Sequence, residues 1–157
     1  MSKRHHSSAL TAALWVAAIL WIGVLFFLST QSGVDSSALS GWFTGIVLHL
    51  FRFLHLQPAA LEPALRKLAH FGIFAVEGFL LTLAMMRTAR RPWRGALAAA
   101  LSCALMAAAN EYSQRFADGR SCELCDMLID SGGALLGLLA ALALRGLIRA
   151  HRRRRRA

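Results

Sequence analysis

Four apolar runs, separated by stretches rich in polar and turn-forming residues, organise this chain. The first covers residues 8–28; roughly 20 helical residues at about 1.5 Å each cross a hydrocarbon core of about 30 Å. It ends without a small-residue cleavage pattern, which predicts a retained helix and not a removed leader. Polar residues and turn formers follow, up to Ser40. Over residues 41–56 the pattern changes: Trp42, Phe43, Ile46, Val47, Leu50 and Leu54 recur at helical spacing, with His49, Arg52 and His55 on the other side. That spacing predicts an amphipathic helix lying in the membrane interface, or one packed on the bundle without lipid contact. Pro58 and Pro63 are expected to bracket a short connection, and the second run covers residues 67–86. The third, residues 95–109, reaches only about 22 Å, which is expected to bring Glu111 near the membrane boundary. The fourth covers residues 127–148. The fold class expected is all-α integral membrane: a four-transmembrane-helix bundle with an interfacial amphipathic helix in the first extracytoplasmic loop. Residues 1–157 make one domain, with its core at 8–148 and a basic tail at 149–157.

Composition agrees with lipid as the solvent, because 57% of the 157 residues are apolar. The net charge of +10 does not lead to nucleic acid, since most Lys and Arg sit in short runs beside apolar segments. Their distribution sets an orientation. Thirteen of the 18 fall at the N-terminus, in the loop from residue 87 to 94, and from Arg145 onward. The other five are spread over the two remaining loops and the start of the second run. Positive charge accumulates in short cytoplasmic segments, so both termini are expected in the cytoplasm. The eight acidic residues fall on the other side or within the second run, which implies that carboxylates are used there.

Polar groups recur at that same end of every run: Ser29 and Gln31, then Lys67 and His70, Glu111 and Gln114, and Asp126 and Asp130. Lys67 and His70 are three residues apart, as are Glu111 and Gln114, while Asp126 and Asp130 are four apart, so each pair shares a helix face. Three such faces can line one cleft. Ionisable groups at membrane depth cost roughly 2.5 to 3.5 kcal/mol each, so they pair, face the bundle interior or serve a function. Interhelical salt bridges with interfacial caps are the plain alternative. Lys67 and Arg120 are suited to an anion, Lys as a point charge and Arg through its planar fork. His70, Glu111, Asp126 and Asp130 are the candidates for proton transfer. These groups form no recognised metal motif, and no metal or cofactor is expected. Glu77, seven residues after His70, is expected to be protonated or hydrogen-bonded to another helix. Cys122 and Cys125 have the spacing of a redox or zinc pair, but in an oxidising compartment a loop-stiffening disulfide is the expectation. The Gly132, Gly133 and Gly137 cluster contains a Gly-x-x-x-Gly step that lets helix backbones approach closely within the monomer.

The ordered set of Gln31 in Ser-Thr-Gln-Ser, Lys67-x-x-His70-Phe71, Asn-Glu111-x-x-Gln114, Arg120, Asp126, Asp130 and Gly133 resembles the VanZ-like family of bacterial membrane proteins. That family is named after a component of glycopeptide-resistance clusters associated with teicoplanin resistance. The resemblance spans roughly residues 29–137. Asp130 stands where the family pattern typically has Asn, which adds a carboxylate, and Ile73 stands where many members have Glu, which removes one. The resemblance implies a multi-pass protein of the bacterial inner membrane with a role at the cell envelope; it implies no settled reaction. Two functions follow. One is an outward-facing site for an anionic cell-envelope molecule, lipid-linked or peptidoglycan-related, with Gln31, Lys67, Gln114 and Arg120 binding and His70, Glu111, Asp126 and Asp130 in proton transfer. The other is a non-catalytic membrane protein whose polar cluster holds the helices together or docks a partner. Membrane lipids are the expected surroundings and nucleic acid is not an expected partner.

Overall fold

In a computed structural model of the chain, residues 2–29, 58–114, 116 and 124–155 are described, together with positions 41, 45 and 49. The four runs form α1 (Ser2–Ser29), α2 (Pro58–Thr88), α3 (Pro92–Gln114) and α4 (Leu124–Arg154). Each is long and apolar enough to cross a membrane. The amphipathic segment expected at 41–56 lies outside the described residues except for three isolated positions.

The helices outrun the apolar runs that announced them. Hydropathy marks the part of a helix that lipid solvates, whereas backbone hydrogen bonding carries on into polar flanks. Thus α2 begins at Pro58, not near Lys67, and Pro63 falls inside it, where α2 forgoes one intrahelical hydrogen bond. The third helix does not stop at Ala109 but runs on to Gln114, so Asn110, Glu111 and Gln114 are buried helical residues.

Side-chain contacts fix the topology as up-down-up-down. The indole of Trp15 donates to Thr88 Oγ1 and that of Trp21 to the Ile73 carbonyl, each at 2.9 Å. These bonds tie α1 antiparallel to α2 and give each indole N–H the acceptor that lipid lacks. A tight turn at residues 89–91 returns the chain into α3, with the Arg94 and Gly95 amides bonding the Arg91 carbonyl at 3.0 and 3.3 Å. The buried face of α3 is a stripe of small residues, Gly95, Ala99, Cys103 and Ala107, which become polar only at Asn110.

The most extensive contact joins α2 and α4, which run parallel. A Cβ on Gly133 would overlap the Phe71 carbonyl, and one on Gly137 would overlap the Ala75 carbonyl, so the two backbones touch there. The Gly-x-x-x-Gly step is therefore spent on packing within the chain, as small residues in lipid commonly are. Large apolar side chains cover the outside: Leu20, Phe27, Leu105, Leu128 and Leu147 are about two thirds or more exposed. Such a surface suits acyl chains and not water.

Candidate functional site

The topology brings the C-terminal ends of α1 and α3 beside the N-terminal ends of α2 and α4. One polar residue from each helix meets there. Ser29 Oγ lies within hydrogen-bond reach of the Leu25 carbonyl, at 3.1 Å, and of Asn110 Oδ1. The Asn110 amide nitrogen donates to Asp130 Oδ2 at 3.1 Å. The other carboxylate oxygen of Asp130 lies 3.5 Å from His70 Nδ1, an ion-pair distance at the limit of hydrogen-bond reach. Ser29, Asn110 and Asp130 are buried, Asp130 completely. A polar chain Ser29–Asn110–Asp130–His70 thus links all four helices in an environment where losing any one partner is costly.

Chemistry dictates how that chain is arranged. An ionised carboxylate only accepts, so the amide nitrogen of Asn110 must face Asp130 and its oxygen must face Ser29. His70 Nδ1 stands near Asp130 Oδ1 without forming a hydrogen bond to it, and that oxygen has no hydrogen-bond partner among the described residues. The His70 side chain is 25% exposed, so that ring is the member of the chain nearest the surroundings. One turn further along α2 and α4, Lys67 Nζ lies 3.7 Å from Asp126 Oδ1, with the Lys67 side chain 45% exposed. A pair this exposed contributes roughly 0 to 1 kcal/mol to stability, so it positions a charge more than it holds the fold.

Of the residues singled out in the sequence, Lys67, His70, Asp126 and Asp130 come together as two pairs across the α2–α4 contact. Glu111 and Gln114 are buried at the same end of α3, but the bond from α3 to α4 is made by Asn110. Asn110 was not among the site residues chosen from sequence; the signal available was a lone amide four residues before Gln114 at the end of an apolar run. Gln31, Arg120 and Cys122 lie outside the described residues. The disulfide expected between Cys122 and Cys125 therefore lies outside the described residues as well; Cys125 itself is exposed at the start of α4. Glu77 is fully buried in α2, and neither of its carboxylate oxygens has a hydrogen-bond partner among the described residues. The interhelical hydrogen bond that was one of two expectations for it is not made. Among the described residues, no three of His, Cys, Asp and Glu converge closely enough to hold a metal ion.

Residues 14–145 match the VanZ/LLP1 family, a span that takes in all four helices. No curated protein and no solved structure matches the chain.

Proposed function

We propose that this chain, which belongs to the VanZ/LLP1 family, uses the polar end of its bundle to bind an anionic cell-envelope molecule and so contributes to glycopeptide tolerance. The observation that carries this reading is the pairing across α2 and α4, with Lys67 on Asp126 and His70 on Asp130. In that arrangement Lys67 supplies the positive charge that attracts a phosphate or carboxylate, while Asp126 keeps it at the mouth of the site. Asp130, held in turn by Asn110, orients His70 so that Nε2 faces the ligand and exchanges a proton with it. Gln31, Gln114 and Arg120 are assigned to binding, and Glu111 joins Asp126, Asp130 and His70 in proton transfer.

Lys67→Gln should lower tolerance to teicoplanin in a sensitised host, and Glu111→Gln should impair it by a separate route, loss of a proton-transfer group with ligand retention unchanged. Tolerance and membrane abundance are measured together. Full tolerance of both variants at normal abundance would rule the shared site out.

A second reading, that the polar cluster only holds the helices together, is favoured by the burial of Asn110 and Asp130, at 1% and 0% exposure. The two readings separate at Lys67. Its exposed ion pair contributes little to stability, so a purely structural cluster predicts that Lys67→Gln changes nothing.

The proposed site faces the periplasm, with both termini in the cytoplasm, on the strength of the uneven division of Lys and Arg. A cytoplasm-dependent reporter should then be active after Arg156 and within residues 87–94, and a periplasm-dependent one near Ser36 and Asp118. A periplasmic C-terminus would reverse the assignment of the site to the outer face.

A further inference from the structure

The end of the bundle away from the polar network carries charge that the chain does not neutralise. Arg87 lies in the last turn of α2, Arg90, Arg91 and Arg94 follow around the turn into α3, and Arg145, Arg149 and Arg152 to Arg154 fill the last turns of α4, with Arg155 just beyond. No Asp or Glu occurs before residue 35, between 77 and 111, or after 130. The nearest acid along α2, Glu77, is ten residues from Arg87, about 15 Å of helix.

Arg145 is the centre of this group. It is partly buried, and its Nε is shielded from solvent with no hydrogen-bond acceptor among the described residues. Arg149 is one turn further on the same face of α4, and Arg87 sits at the end of α2, the helix that runs parallel to α4 and in contact with it. Arg87 is itself steadied by a 3.1 Å hydrogen bond from its Nε to Thr11 Oγ1 of α1. Guanidinium groups from two helices are thus gathered with no carboxylate among them. The stranded Nε donor of Arg145 is the group that an anion from outside the chain would satisfy.

We propose that Arg87, Arg145 and Arg149 bind the phosphodiester group of an anionic phospholipid. Three guanidinium forks match phosphate oxygens in pairs. The surroundings identify a lipid as the source of that phosphate. Arg145 lies within a membrane-spanning helix, flanked by the exposed apolar side chains of Leu144, Leu147 and Ile148, against which acyl chains lie. Trp93, exposed at the same end with Arg94 stacked 5.3 Å from its ring centroid, marks the headgroup level.

The experiment uses the full chain in phosphatidylcholine nanodiscs into which phosphatidylglycerol is titrated, read by thermal stabilisation and by lipid retained in native mass spectrometry. Saturable retention of phosphatidylglycerol, with a rise in Tm, is expected. Arg145→Gln should weaken it about fivefold, and the combined Arg87→Gln, Arg145→Gln, Arg149→Gln variant about a hundredfold. Changing Arg152, Arg153, Arg154 and Arg155 to Gln should weaken the general attraction to the anionic bilayer but leave saturable retention of phosphatidylglycerol in place, because those residues offer diffuse attraction and not a built site. If the combined variant fails to fold, Arg149→Gln alone, at an exposed position, should still lose about fivefold with an unchanged Tm in pure phosphatidylcholine. The proposal is overturned if the tail variant abolishes retention while the three-arginine variant keeps it, if Arg149→Gln binds as tightly as the native chain, or if inorganic phosphate at equal concentration displaces the lipid.

Discussion

Replacing Asp130 with Ala should cost about 3 kcal/mol of stability, the upper end of what stranding a buried hydrogen-bonding group costs. Two groups are left stranded at once: the Asn110 amide loses its acceptor and His70 loses the carboxylate 3.5 Å away. Unfolding in mixed detergent micelles, followed by circular dichroism, measures the change. Asp130→Asn separates the two duties of the residue. An amide oxygen still accepts from Asn110, so this variant should lose only about 1 to 2 kcal/mol, yet it removes the negative charge that orients His70. Near-native stability with reduced glycopeptide tolerance is the expected outcome. An Asp130→Ala protein as stable as the native one would show that the polar chain does not hold the bundle.

The other large effect is expected at the α2–α4 contact. At Gly137 an added methyl group meets the backbone of Ala75 and Phe79, not the yielding end of a side chain. Gly137→Ala should therefore cost about 3 kcal/mol or more, at or above the upper end for overpacking, and Gly137→Leu should prevent the helices from pairing. Gly23 and Gly146 provide matched controls, because a Cβ at either has nothing within 4 Å. Alanine at those positions should be neutral, or stabilising by up to about 1 kcal/mol through helix propensity. Equal melting of the Gly137→Ala and Gly146→Ala proteins would refute the close contact.

Four membrane-spanning helices were legible because run length alone decides whether a segment spans a bilayer. Their ends were not, because Asn110 and Glu111 look like the end of an apolar run when only hydropathy is considered. They belong instead to its buried last turns, where Asn110 is satisfied by groups distant in sequence. Pairing of polar residues on shared faces picked out Lys67, His70, Asp126 and Asp130, which the fold brings into two pairs. What it could not supply was the partner of each, since matching residue 67 with 126 and 70 with 130 requires α2 and α4 to be parallel and in register. The Gly133 and Gly137 step carried a trace of that register, but naming the carbonyls of Phe71 and Ala75 as its counterpart takes three dimensions. Asn110 shows the same limit: a single amide gains its importance from Ser29 and Asp130, 81 and 20 residues away.

The glycine contact also acts as a clamp. Its jaws close at more than one level, with Gly133 against Phe71, Gly137 against Ala75 and Phe79, and Gly78 against Ala134. Rods whose backbones touch over more than a full turn have no single point about which to pivot. The clamp reaches within one residue of His70 on α2 and three of Asp130 on α4, so that pair sits on the gripped part of both rods. Arg145 lies eight residues beyond Gly137, about 12 Å further along α4, on the part the clamp leaves ungripped.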